Sequence, residues 1–538
     1  MTLKPSRSMR AYSATTFVLF FVVALLPIGY ALLFSVWKNG GLSLGAYTAV
    51  LREARQWALL RNSLGIALGT TLVATVLGVA VGFAIEYVRV PSRRLLSYCV
   101  AVPFLIPPYV SAVAWIELLG KSGVIPSFLY ENVEIDISPL RLYGIPGVIL
   151  VLALSHYPIV VLTTVVALRR FDRRLGEAAR FVGRRGAALL SVTLPLLAPT
   201  ILSGALFVFV LALVAFSVPS LLQVDVYPVE VYSHFSAFHD FRVATAQALP
   251  LLLTGALALV FWTLYVRPRH AWLTGARRQR TYLHTTRRLR AGGAILCWVL
   301  VAISAALPLA VLIRRSLPLS SYVEAWQTAR EEIATSILVA VCSATLITLL
   351  AVSMAYLKRR HRRKLSLYDL SLLPFLVSGP VLGIGLIFFW NHDGVRALVY
   401  DSLLVVVLAC AGRFLFFAHH GVGAALRDLH PNLEEAASVA GVTWWRQATG
   451  ILLPLIRPSV VAVWGLCFLF SIRELDATVL VCPPGTTTLP VRLFTLMHYG
   501  PSRLVAALSV MTAAMILLGA AVTASVYSRT RRVLDARN

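Results

Sequence analysis

Residues 435–454 read EAASVAGVTWWRQATGILLP, and residues 177–195 read EAARFVGRRGAALLSVTLP. In the later copy Glu435-Ala436-Ala437 is followed by three residues, Gly441, nine residues, Ile451, one residue and Leu453-Pro454. In the earlier copy Glu177-Ala178-Ala179, three residues and Gly183 lead to Leu194-Pro195, with one residue fewer between glycine and proline. Each copy reads as a short helix, a glycine break and a second helix. Asp172 and Asn432 stand where they can cap the first helix, the glutamates suit its positive end, and glycine permits a turn that residues with a Cβ resist. The glutamate offers one directed charge and the two alanines a small-residue surface on which a partner's groove can close. Both copies therefore read as docking helices.

What surrounds them is apolar. Of 538 residues 58% are hydrophobic and 13% charged, against about 25% charged in soluble domains, which excludes a water-soluble fold. About 20 apolar residues cross a bilayer as a helix. Such runs lie near 14–36, 62–86, 95–119, 145–168, 197–219 and 245–266, and again near 291–313, 334–357, 367–390, 401–420, 459–481 and 504–527. The first is too long, and lacks the small-residue cleavage site, for a secretory signal. The expected fold is an all-α membrane protein with twelve transmembrane helices in two parallel-repeat six-helix halves.

The net charge of +26 would suggest nucleic acid in a soluble protein, but here the basic residues lie between apolar runs and report topology. Lys4, Arg7 and Arg10, then Arg89, Arg93 and Arg94, then 358–364, then Arg529, Arg531 and Arg532 fall on one side of a twelve-pass chain. Glu131, Glu134, Asp136, Asp225, Glu230 and Asp240 fall on the other. Both termini are thus expected in the cytoplasm. Residues 267–290, with eight arginines and no acid, read as a basic cytoplasmic linker touching anionic lipid rather than nucleic acid. It divides a first half, 1–266, from a second, 291–538.

The halves look like copies. Pro103-Phe104-Leu105 matches Pro374-Phe375-Leu376, Ser63 matches Ser336, and Arg242 matches Arg503. The offset is 273 residues at the serines and 258 at the glutamates of the paired loops, so the first half carries about 15 extra residues, placed near 122–143. Six helices per half keep equivalent helices in one orientation, which makes the repeat parallel.

A loop of pattern EAA-x3-G-x9-I-x-L-P before the penultimate helix of each half resembles the coupling loop of binding-protein-dependent ABC import permeases, and the resemblance spans essentially the whole chain. It implies the type I ABC importer permease fold in a bacterial inner membrane. It implies two copies of a cytoplasmic ATP-binding subunit and an extracytoplasmic substrate-binding protein as partners. The coupling role passes to Glu177, Ala178, Ala179 and Gly183 (loop about 170–195) and to Glu435, Ala436, Ala437 and Gly441 (loop about 421–454). Fusion of two halves resembles the iron(III) importers and, more loosely, the thiamine importers. The stretches 473–478, 483–485, 488–492 and 498–500 lean to the iron(III) branch, although Arg473 and Asp476 stand where that branch usually shows lysine and proline. Ferric iron is the expected cargo, with thiamine, a polyamine or another small solute as alternatives.

Ionisable residues inside spans are costly and point to function. Glu117, His156, Arg413, Arg473, Glu474 and Asp476 are the candidates for the translocation path, and Val214, Ala215 and Ser217 occupy the first-half positions matching the last three. Glu474 and Asp476 are placed to meet a cation, with Arg473 neutralising them between passages. The plainer alternatives are a salt bridge joining two helices, a contact to the binding protein and, for His156, a hydrogen-bonded packing role.

Other signals lead nowhere. Gly120-Lys121-Ser122 resembles the end of a phosphate loop, but Trp115 replaces its first glycine. ATP hydrolysis is therefore assigned to a partner; no catalytic residue, cofactor or resident metal is expected. His419-His420 lacks further ligands nearby, and the six cysteines form no CxxC pair. An ion-gradient-driven secondary transporter also has twelve helices in parallel halves, but has no reason to carry the paired loops. A membrane-embedded enzyme would need a catalytic cluster within the spans.

Overall fold

The computed structural model describes residues 7–38, 41–121, 123–133, 142–170, 193–237, 241–266, 286–360 and 367–535. Among the described residues eleven helices are long and apolar enough to cross a membrane, and a bent pair supplies a twelfth. In chain order they are Arg7–Val36, Ala54–Val88, Pro108–Asn132, Ile145–Arg169, Leu194–Leu213 and Phe241–Val266. The second set is Arg287–Arg315, Ser320–Arg360, Tyr368–Leu376 with Gly379–Trp390, Leu404–Arg427, Trp444–Ile472 and Ser502–Leu534. They are called spans 1 to 12. A two-residue hairpin, Trp37–Lys38 against Gly41–Leu42, follows span 1.

Four apolar runs that read as continuous in sequence are broken. The run at 95–119 divides into Arg93–Cys99, Val102–Leu105 and Pro108–Leu119, with Ile106 extended before Pro107. Clash with the following proline ring removes the helical conformation from such a residue. Span 9 breaks at the matching place, after Leu376, and bends by 112°. The run expected at 459–481 begins earlier, at Trp444, leaves the helix at Ile472 and resumes only at Thr478–Val481. Its counterpart in the first half ends at Leu213 and resumes at Ser217–Leu221.

The repeat is visible in hydrogen bonds as well as in letters. Ser63 Oγ accepts the N–H of Tyr227 at 3.2 Å, and Ser336 Oγ accepts the N–H of Leu489 at 2.7 Å. Each begins a helix, Tyr227–Ser236 or Leu489–Tyr499, with a proline at its second residue.

The first span of each half packs on the other half. Met9, Phe20, Val23, Ala24 and Ile28 of span 1 share a core with Val339, Ile347, Leu382 and Val407 of spans 8, 9 and 10. Tyr12 donates to Ser353 Oγ at 2.8 Å. Cys297, Leu300, Val301 and Val311 of span 7 share the core of spans 2, 4 and 5, and Glu117 of span 3 pairs with Arg315 at 3.0 Å. The sequence boundary at 267–290 therefore separates the repeats but not the packed bodies. The first spans are exchanged, since an apolar helix hydrophobic on every side can bury itself on either half.

Candidate functional site: a charged cavity between the halves

Where span 11 stops, Arg473 to Ala477 form an irregular turn inside the bundle. Glu474 organises it: its Oε1 accepts the Ala477 N–H at 2.9 Å, and its carbonyl accepts the Thr478 hydroxyl at 2.8 Å. A side chain thus satisfies backbone that leaves the helix, the condition for irregular chain at membrane depth. The sequence reading placed Arg473, Glu474 and Asp476 within a helix; they lie in this break instead.

Arg413 of span 10 holds both carboxylates. Its Nη1 donates to Glu474 Oε1 at 2.9 Å and its Nη2 to Asp476 Oδ2 at 3.0 Å, with side-chain exposures of 9% for Arg413, 6% for Glu474 and 15% for Asp476. This corrects the expectation that Arg473 neutralises the pair. Arg473 turns the other way, across to the first half: it donates to the Phe104 carbonyl and lies between the rings of Phe104 and Phe470, 4.9 and 4.8 Å from their centroids. A guanidinium is weakly hydrated and stacks on aromatic faces, so this position is open to arginine and not to an acid.

These groups line one cavity of about 100 Å³, to which both halves contribute. His156 of span 4 is on its wall, with Nδ1 2.7 Å from the Leu152 carbonyl. A carbonyl only accepts, so Nδ1 carries the proton and Nε2 is left as an acceptor. Of the six ionisable residues singled out in sequence, five, His156, Arg413, Arg473, Glu474 and Asp476, meet here. Glu117 does not; its partner is Arg315 of span 7.

The sequence reading missed the aromatic wall. Phe104, Tyr109, Phe207, Phe375, Phe414, Phe417 and Phe470 line the cavity, and Phe207 stacks on Phe375 with centroids 5.5 Å apart. The signal was present, because Phe104 and Phe375 belong to the repeated Pro-Phe-Leu triplet. Tyr109 is buried with its hydroxyl unpartnered. Among the described residues no group of three or more His, Cys, Asp or Glu is arranged to hold a metal ion.

The second of the two loops expected to dock a partner forms a helix, Asn432–Val439, with Glu434 and Glu435 in its first turn. Asn432 does not cap it; Pro431 precedes the helix, no side chain caps it, and Asn432 N–H donates to His430 Nδ1 at 3.3 Å. Gly441 follows with φ of +73°, a left-handed turn that favours glycine. Gln447 closes the turn by donating to the Val442 carbonyl at 2.7 Å and to Ser438 Oγ at 3.1 Å. Glu435, Ala436 and Gly441 are exposed, but Ala437 is buried against the loop, which corrects the expectation that both alanines face a partner. Val439, not singled out in sequence, is 91% exposed and adds an apolar contact point. Asp172, Glu177, Ala178, Ala179 and Gly183 lie outside the described residues.

The model of the family described as binding-protein-dependent transport system inner membrane component matches residues 74–269 and again 347–534. The Fe(3+)-transport system permease protein FbpB 2 of Haemophilus influenzae is 24% identical over 481 residues, covering 87% of this chain and 90% of that protein. A probable ABC transporter permease protein, y4fN, of Sinorhizobium fredii is 25% identical, covering 87% of each. A putative 2-aminoethylphosphonate transport system permease protein, PhnV, of Salmonella paratyphi A is 28% identical over 244 residues, 43% of this chain and 91% of that protein.

Proposed function

The chain belongs to the family of binding-protein-dependent transport system inner membrane components, and from that premise we propose that it forms alone the whole membrane path of an ATP-driven importer whose cargo is ferric iron. One observation carries the reading: the family domain occurs twice in one chain, and the chain is similar over 87% of its length to an Fe(3+)-transport system permease protein. An ion-gradient-driven carrier has no use for a twofold binding-protein-dependent domain.

In this reading two cytoplasmic ATP-binding subunits seat the loops at 177–183 and 435–441, one on each half. Both chain termini and the basic linker lie on that side. ATP-driven approach of the subunits draws the loops together and opens the opposite side to a docked binding protein; hydrolysis restores the first arrangement. The cavity between the halves is the step midway along the path. Its neutral set of two arginines and two carboxylates lowers the cost of a buried charge without holding the cargo.

The test is association and transport in liposomes after co-expression with candidate ATP-binding subunits. The double variant Gly183→Asp/Gly441→Asp puts a charge at both loop turns. The reading expects this variant to insert normally, lose the co-purifying ATPase and stop importing iron(III) presented with its binding protein. Solute movement by the wild type on an ion gradient alone, with no ATPase ever bound, sinks it.

A further inference from the structure

The second docking helix is tied to span 8 by one side chain. Span 8 ends in Tyr356-Leu357-Lys358-Arg359-Arg360, and the Arg359 guanidinium is shared among three acceptors. Its Nε donates to Glu434 Oε1, its Nη1 to the Leu426 carbonyl and its Nη2 to the Leu429 carbonyl at 3.2 Å. Arg359 and Glu434 are each 16% exposed. Leu426 and Leu429 stand at the end of span 10, where the final carbonyls lack helical partners and attract a cation. Glu434 is in the first turn of the docking helix, directly before Glu435. One planar fork therefore joins the end of span 10, the start of the docking helix and the end of span 8.

A second contact ties the other side of the loop to the same turn of span 8: Tyr356 donates to the Trp444 carbonyl at 3.3 Å, where span 11 begins. Span 8 is a continuous helix of 41 residues, about 60 Å long at 1.5 Å per residue. Towards its other end Ser336 holds Leu489, and Glu332 faces Arg492 at 3.7 Å. The rod thus connects the loop to the helix Leu489–Tyr499 that follows the broken end of span 11.

In the first half the end of span 2 is joined to the end of span 4 by an ion pair of reversed sign. Glu86 and Arg359 stand equally far beyond the matched serines (63 to 86, 336 to 359). Glu86 accepts from Arg169 Nε at 3.0 Å, at the end of span 4, but Arg169 is 60% exposed. This pair is more open to solvent than the Arg359–Glu434 pair.

We propose that Arg359 is a positioning residue that makes span 8 follow the second docking loop, so that displacement of the loop by the ATPase reaches the far end of the path. This rests on the docking role assigned above to that loop. Lysine is a point charge and cannot reproduce three in-plane bonds, so Arg359→Lys is the decisive variant: it keeps the charge and loses the fork.

The measurement is iron(III), presented with its binding protein, imported per ATP hydrolysed by the complete transporter in liposomes, beside ATPase co-purification, for wild type, Arg359→Lys, Arg359→Ala, Arg169→Ala and Gly183→Asp/Gly441→Asp. Arg359→Lys and Arg359→Ala are expected to keep the ATPase bound and hydrolysing while import per ATP falls about tenfold, within the usual range of coupling between distant sites. Arg169→Ala is expected to fall less. If Arg359→Ala does not assemble, Arg359→Lys decides alone. An unchanged ratio in Arg359→Lys, with Gly183→Asp/Gly441→Asp losing the ATPase, overturns the positioning role and leaves the docking role standing. An ATPase still bound to Gly183→Asp/Gly441→Asp overturns both.

Discussion

Arg413 lies so close over Gly379 that a Cβ at Gly379 would stand 2.5 Å from its Nη1, and 2.5 Å from the Cβ of Asp476 as well. Gly379 opens the second piece of the broken ninth span, and the break lets this backbone pass beneath the ion cluster. The absence of a side chain there is part of how Arg413 reaches both carboxylates.

Gly379→Ala is therefore expected to displace Arg413 or Asp476 and to lower import sharply in proteoliposomes. Gly65→Ala is the control, since nothing lies within 4 Å of a Cβ at that position. Equal import by the two variants would show that the cluster tolerates displacement.

Arg413→Gln leaves two carboxylates buried against each other with no cation between them. Removing one partner from a buried pair costs about 3–5 kcal/mol, whereas replacing the whole cluster by neutral groups is often tolerated. Thermal unfolding of the purified permease should thus show a large drop for Arg413→Gln and substantial recovery when Glu474→Gln and Asp476→Asn are added. A single variant as stable as wild type, or a triple variant no better than the single, contradicts the pairing.

Ser63→Ala and Ser336→Ala each strand a backbone N–H, that of Tyr227 or Leu489, in the same place of the two halves. Each is expected to cost about 1–3 kcal/mol, the penalty for a buried donor without an acceptor. The two sites make no shared contact, so the double variant should show the sum, measured by denaturant or thermal unfolding. A marked departure from additivity would mean that the halves do not bear the two bonds independently.

Much of this architecture was legible in the letters, and the reasons differ from element to element. Twelve spans follow from run length, because hydrocarbon thickness sets the number of residues needed. The parallel repeat follows from Ser63 and Ser336, which accept the matching N–H in their halves, and from Phe104 and Phe375, which both line the central cavity. The breaks were harder. An apolar run such as 459–481 looks continuous when only hydropathy is read, and it is Glu474 accepting the Ala477 N–H that ends the helix. Which arginine serves which carboxylate was not legible either: Arg473 is adjacent to Glu474 in sequence, but the turn carries its guanidinium across to Phe104 while Arg413 arrives from another span. Nor do local patterns reveal that spans 1 and 7 change sides, since both are apolar enough to pack on either half.

That exchange gives a test with fragments. The first span lies in one core with spans 8 to 10, and the seventh in one core with spans 2, 4 and 5. If the chain is cut within 267–290 and residues 1–266 and 291–538 are co-expressed, the fragments should assemble and co-purify through detergent, because each supplies a helix to the other's core. A first fragment shortened to 37–266 loses the apolar side chains of Phe20, Val23 and Ile28 from the second core, together with the Tyr12 to Ser353 bond. Burial of each large side chain contributes about 1.5–3 kcal/mol in water, and less where lipid replaces water, so close packing and the polar bond carry more of the attachment here. Pull-down of 291–538 by the shortened fragment should be clearly weaker than by 1–266, and 291–538 alone should unfold at lower temperature than in the complex. Equal recovery with and without residues 1–36 would mean that span 1 is not held in the second core.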